Sequence, residues 1–233
     1  MFKSMFAAIV CLCAHGAGAA TLTAQETRWL QAAAPVLAYS QELKLPIDIV
    51  VQPAAGPNDV PIAMGFDGQR CKLVLSMRGN DDADAILADA APEQRATMIE
   101  AMVAHEVGHC WRYAHGVWHA LPAGFIDGAA GSAPEEARLA ALIREMREMR
   151  REEGFSDLVA LAWTARRHPR HYQAVRDWLA GLRQAQPVPR GGHDTLAWVA
   201  LAADPAVFAL GATPFDAVDG VWLAGLRRDD ADL

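Results

Sequence analysis

The segment His105-Glu106-Val107-Gly108-His109 constrains this chain more than any other. It lies late in a run, from Pro92 to about Gly116, whose apolar residues recur at helical spacing, with Pro92 suited to the first turn and Gly116 to the cap. On a helix, side chains four apart stand one above the other. His105 and His109 therefore project together, on the side where Met98, Ala101 and Met102 meet a core. Two imidazoles and a carboxylate buried there without partners are costly. A metal ion removes that cost, and imidazoles at this spacing favour zinc. Glu106 is turned by roughly 100° from His105. It flanks the ion rather than binding it, as the general base of an H-E-x-x-H pattern does. The competing reading, a surface helix with two histidines, fits poorly with the small and apolar residues that precede the motif.

A catalytic zinc site takes a third protein ligand and leaves one position open. His115 is spaced as the last ligand of the metzincin pattern. That pattern needs a glycine where Arg112 stands, so that the helix can break. Glu153 is the better ligand. It opens Glu153-Gly154-Phe155-Ser156-Asp157 on a second long helix, and Asp157 shares its face. Asp157 is then placed to accept the second N–H of a ligating imidazole. Glu152, one residue off that face, competes with Glu153.

The pair H-E-x-x-H and Glu153-x-x-x-Asp157 resembles the gluzincin metallopeptidases. Within them the chain is most similar to the integral-membrane and periplasmic peptidases related to the CAAX prenyl protease and the heat-shock membrane proteases. The resemblance is carried by Ile99 to His109 and Glu152 to Ala162, and spans roughly residues 40–165, counted on motif placement. It implies a zincin-like fold with a small sheet beside the motif helix. It also implies an edge strand that captures extended substrate by backbone pairing, with the arm Cys71 to Met77 as candidate. A downstream His, Tyr or Arg stabilises the oxyanion in such enzymes. His193, in Gly191-Gly192-His193-Asp194-Thr195, is the candidate here, and its rival reading is a loop residue beside a helix cap.

The rest of the chain reads as α+β, mainly helical. Residues 23–44 form a helix bent at Pro35, and Ile47 to Val51 a strand. Ile62 to Met77 forms a hairpin about Asp67-Gly68. Residues 78–92 read as an acidic surface loop with one short helix, and 117–133 as a Gly- and Ala-rich loop. A long helix starts near Pro134, another covers 169–184, and a last one restarts near Asp194.

Residues 1–20 differ from the rest of the chain. Lys3 precedes an apolar run, and small residues end it at Ala19 and Ala20, the order of a cleaved secretory signal peptide. That run is shorter than the roughly 20 residues a membrane span needs. Residues 21–233 then form a single domain with no membrane span, and the formal charge moves from −7 to −8. An acidic chain with no basic stripe excludes nucleic acid as a partner class. Cys71 and Cys110 remain after cleavage, either bridged in an oxidising compartment or buried as two thiols. The sheet implied by the resemblance brings them near each other and favours the bridge. The expected protein is a periplasmic or secreted zinc endopeptidase acting on peptides or unfolded proteins. The alternative is a zinc-stabilised envelope chaperone with little or no catalysis.

Overall fold

The computed structural model describes residues 21–57, 59–125, 134–185 and 188–231. The expected signal peptide, and the end of the expected loop 117–133, lie outside the described residues.

Helix α1 (Ala24–Glu42) starts at a capping box. The Thr23 hydroxyl accepts the Glu26 N–H, and the Glu26 carboxylate accepts the Thr23 N–H. Strands β1 (Ile47–Val51), β2 (Ile62–Asp67) and β3 (Arg70–Leu75) come next. Gly68, at φ +61°, takes the left-handed conformation of the β2–β3 turn. The strand order is β1-β3-β2, with β1 parallel and β2 antiparallel to β3. This corrects the expected edge: the arm from Cys71 is the central strand, and β2 is an edge. A hairpin signal specifies that β2 and β3 pair, but not which flank a third strand joins. Here Ile47–Val51 covers the free side of β3.

The ladder phase also fixes what the β2 edge offers. Ser76 N–H donates to the Pro61 carbonyl, and the register pairs Ala63 with Val74 and Gly65 with Lys72. In an antiparallel ladder, inward- and outward-facing backbone groups alternate. Ile62, Met64 and Phe66 therefore point theirs away from β3.

After the short α2 (Asp82–Ala85) come α3 (Pro92–Ala114) and α4 (Pro134–Arg167). A 3₁₀ turn leads into α5 (Tyr172–Gln184). The helix expected near Asp194 is short, α6 (Leu196–Leu201), and a separate α7 (Pro214–Ala231) ends the chain. The fold is mainly helical with one small sheet, and among the described residues no helix is long and apolar enough to cross a membrane.

From Phe155 to Trp163, α4 is buried against α3, α6 and α7. Gly108 allows the close approach of α3 to α4. A β-carbon there would lie 3.0 Å from Ser156 Oγ and 3.2 Å from Ser156 Cα. Gly154 does the same for α6, since a β-carbon would meet the Trp198 ring at 2.6 Å. Cys71 of β3 and Cys110 of α3 form a disulfide, with Cα atoms 5.7 Å apart. It ties the sheet to the motif helix across 39 residues, worth roughly 4 kcal/mol in the chain-entropy account.

Candidate metal centre

The close contact of α3 and α4 brings His105, His109 and Glu153 together. His105 Nε2 lies 3.1 Å from His109 Nε2 and 3.4 Å from Glu153 Oε2, and His109 Nε2 lies 3.3 Å from Glu153 Oε1. The second nitrogen of each ring is engaged elsewhere. His105 Nδ1 lies 2.9 Å from Asp157 Oδ1, and His109 Nδ1 3.0 Å from Ser156 Oγ. Asp157 is acceptor-only, so His105 carries its proton on Nδ1 and turns the lone pair of Nε2 inward. Three inward acceptors this close repel one another unless a positive charge sits among them. The group could hold a metal ion.

With no cation bound, a proton on His105 takes that place. Burial alone would lower the His105 pKa, but Glu153 and Asp157 outweigh it and push it up to about 10. Burial would likewise raise Glu153, yet the two imidazoles hold it well below the usual carboxylate range. Each side of the cluster thus draws opposite charge toward the centre.

Asp157 is fully buried and fully engaged. Arg183 donates to it from Nε (2.8 Å) and Nη2 (2.6 Å), and the Thr195 hydroxyl donates to Oδ2. Burial would raise its pKa, but Arg183 and His105 hold it well below the ordinary value. Arg183 Nη2 also lies 3.2 Å from Glu153 Oε2. Sequence reasoning misses both Arg183 and Thr195. Arg183 sits on α5, far along the chain, with no local pattern to mark it. Thr195 sits at the start of α6 without capping it, because its hydroxyl turns to Asp157 instead.

Glu106 does not join the ligand cluster. It lies beside the Met64 backbone amide of the β2 edge, and burial pushes its pKa up against the pull of His105 and His109. Beside these residues runs a cavity of about 1040 Å³, lined by β2, α3, α4 and α5. His193 reaches it, with Nε2 3.7 Å from Glu153 Oε1 and the side chain half exposed.

The two rival ligands lie apart from the centre. His115 caps the end of α3, where it is exposed and its Nδ1 lies 2.7 Å from the Trp111 carbonyl. Glu152 is buried in an ion pair with Arg112, 2.6 Å from Nε. His168 and His171 are structural, bonded to Glu100 and Thr97. His119 is exposed at the rim of the cavity, 3.5 Å from Glu148.

No protein-family model, no curated protein and no solved structure matches this chain.

Proposed function

We propose that the chain is a zinc-dependent peptidase with a zincin-like fold, of the gluzincin kind, acting on peptides or unfolded proteins in the cell envelope or outside the cell. The observation that carries this reading is the inward-facing triad of His105, His109 and Glu153 with Glu106 standing free beside it. Zinc bonds of about 2.0–2.1 Å in tetrahedral array set donors roughly 3.3–3.4 Å apart. The observed separations of 3.1, 3.3 and 3.4 Å fit that spacing. Three protein donors leave one tetrahedral position, the pattern of a catalytic rather than a structural site. The disulfide and the signal-like residues 1–20 support an oxidising compartment.

Zinc bound there supplies Lewis acidity, which activates water and polarises a scissile carbonyl. The chain does the rest. The outward backbone groups of Ile62 and Phe66, with the Met64 carbonyl, pair with an extended substrate. Glu106 takes the proton of the attacking water and returns it to the leaving amine. His193 donates a hydrogen bond to the oxygen that gains charge. Asp157, held by Arg183 and Thr195, keeps His105 in the tautomer that offers Nε2.

Glu106→Gln tests the reading. The variant should keep stoichiometric zinc and lose hydrolysis of casein by about 10²–10⁴-fold. Full activity in this variant would refute it. Retained client binding without any cleavage in the unaltered protein would favour the chaperone alternative.

A further inference from the structure

Resting on the peptidase reading above, we infer that Trp118 closes the substrate groove about two residues to the amino-terminal side of the scissile bond, so that the protein shortens peptides from their amino end.

The direction of β2 sets the direction of a bound chain. Met64 of β2 and Glu106 line the same stretch of the cavity, so the bond to be cut lies beside Met64. Antiparallel pairing gives the straighter hydrogen bonds. A chain laid antiparallel on this edge has its amino-terminal residues toward Phe66. Phe66 is two strand positions from Met64, a distance of about 7 Å. There the groove meets an aromatic wall. Trp118 packs edge-on against Phe66 at 5.0 Å and against the His109 ring at 5.6 Å. It thus spans the gap between the strand and the motif helix through which a longer chain would have to pass. Tyr113 stacks on the other side of this group, 4.1 Å from Phe66, and its hydroxyl donates to the Gly68 carbonyl.

The wall is bolted in place. Arg112 Nη2 donates to the carbonyls of Val117 (2.8 Å) and Ala120 (2.9 Å), on either side of Trp118. Glu152 pairs with Arg112 Nε and accepts the His119 N–H at 2.9 Å. Arg112 and Glu152 are only 4% and 2% exposed, so the turn hangs from a buried ion pair. His119 takes the left-handed conformation at φ +58° within it. Glu148, beside His119 and on the same cavity, sets a carboxylate at the wall. It suits the ammonium of a free amino terminus. At the opposite end of β2 the cavity continues past Val60 and Ile86, where the carboxyl-terminal part of the substrate would lie. The expected endopeptidase narrows accordingly to one that works close to a chain end.

The test uses the zinc-loaded protein and peptides with a constant carboxyl-terminal part and one to five residues before the scissile bond, each with a free or an acetylated amino terminus. The products should lack one or two amino-terminal residues. The value of kcat/KM should fall roughly tenfold or more on acetylation or beyond two residues. Trp118→Ala should relieve the length limit by a similar factor, while Trp118→Phe, which keeps a ring in the wall, should preserve it. Glu148→Gln should raise KM for free-amino peptides. Internal cleavage of long acetylated peptides at full rate, or a length profile unchanged in Trp118→Ala, would overturn the inference and leave the peptidase reading standing. Hydrolysis of none of the peptides would overturn both.

Discussion

Two buried arginine–carboxylate pairs meet α4 close to Glu153, and they do different work. Arg183 with Asp157 faces the metal centre and fixes an imidazole. Arg112 with Glu152 stands outside the ligand cluster and fixes the turn that carries Trp118. The chemistry of the two pairs is nearly the same, and both carboxylates are sealed from water. Burying such a pair is a poor source of stability, because desolvation offsets the attraction. What each provides is direction: five guanidinium donors in a fixed fork leave several to aim at neighbours. One fork is aimed at a ligand's supporting carboxylate, the other at two carbonyls of a loop. On the proposed reading, similar side chains thus govern reactivity on one side of α4 and access on the other.

The largest effect that sharpens this contrast is expected at Arg112. Replacing it with Met leaves Glu152 charged and unpaired in the interior, which costs about 3–5 kcal/mol. It also removes the guanidinium that lies over the Trp222 ring at 4.4 Å. Urea unfolding should show the loss, and Arg112→Met with Glu152→Leu should recover a large part of it. Zinc affinity per folded molecule should stay near that of the unaltered protein. A tenfold or greater fall in that affinity would break the proposed division of labour between the two pairs.

A smaller effect on stability and a larger one on metal is expected at Asp157. Asp157→Asn loses the charge that holds the His105 proton and the partner of Arg183. Zinc affinity should fall by about 10–100-fold, the usual cost of losing such a supporting carboxylate. Competition with a chelator measures it. The length preference for peptides should not move, because Trp118 keeps its supports. An unchanged zinc affinity would remove Asp157 from the centre.

The contrast between the pairs is only half legible in the sequence. His105, Glu106 and His109 stand out because helix geometry is local, and Asp157 is reached from Glu153 by the same spacing. Arg112 and Glu152 are also visible, but as an obstacle to a helix break and as a competing ligand. Their pairing depends on how α3 crosses α4, which no local period encodes. Gly108, inside the motif, is what permits that crossing, and its need is apparent only once Ser156 lies opposite. The sheet shows the same limit. The hairpin is written in Asp67-Gly68, whereas the placement of β1 beside β3 is decided by long-range pairing. Hence the arm from Cys71, the candidate edge under the resemblance, turns out to be the central strand.

A third buried pair, far from the cleft, supplies the control and the smallest effect. Glu26 is buried in the first turn of α1, and Arg78 donates to its two oxygens at 2.8 and 2.9 Å. Its pKa is lowered chiefly by the hydrogen bond from Arg78, with Thr23 adding to it and burial opposing. An unfolded glutamate titrates near 4.3. A carboxylate whose folded pKa lies below its unfolded one contributes stability that is complete above the unfolded value and is lost as pH falls through the folded one. The stability difference between the unaltered protein and Glu26→Gln should therefore be full at neutral pH and shrink once the pH drops below about 4. Urea midpoints of both proteins, followed from neutral to acid conditions, measure it. Zinc affinity and peptide length preference should be the same in both. A difference that stayed constant into acid would mean that Arg78 holds Glu26 by shape and hydrogen bonding alone. In that case the arginine pairs of this fold would be positioning devices even where no site depends on them.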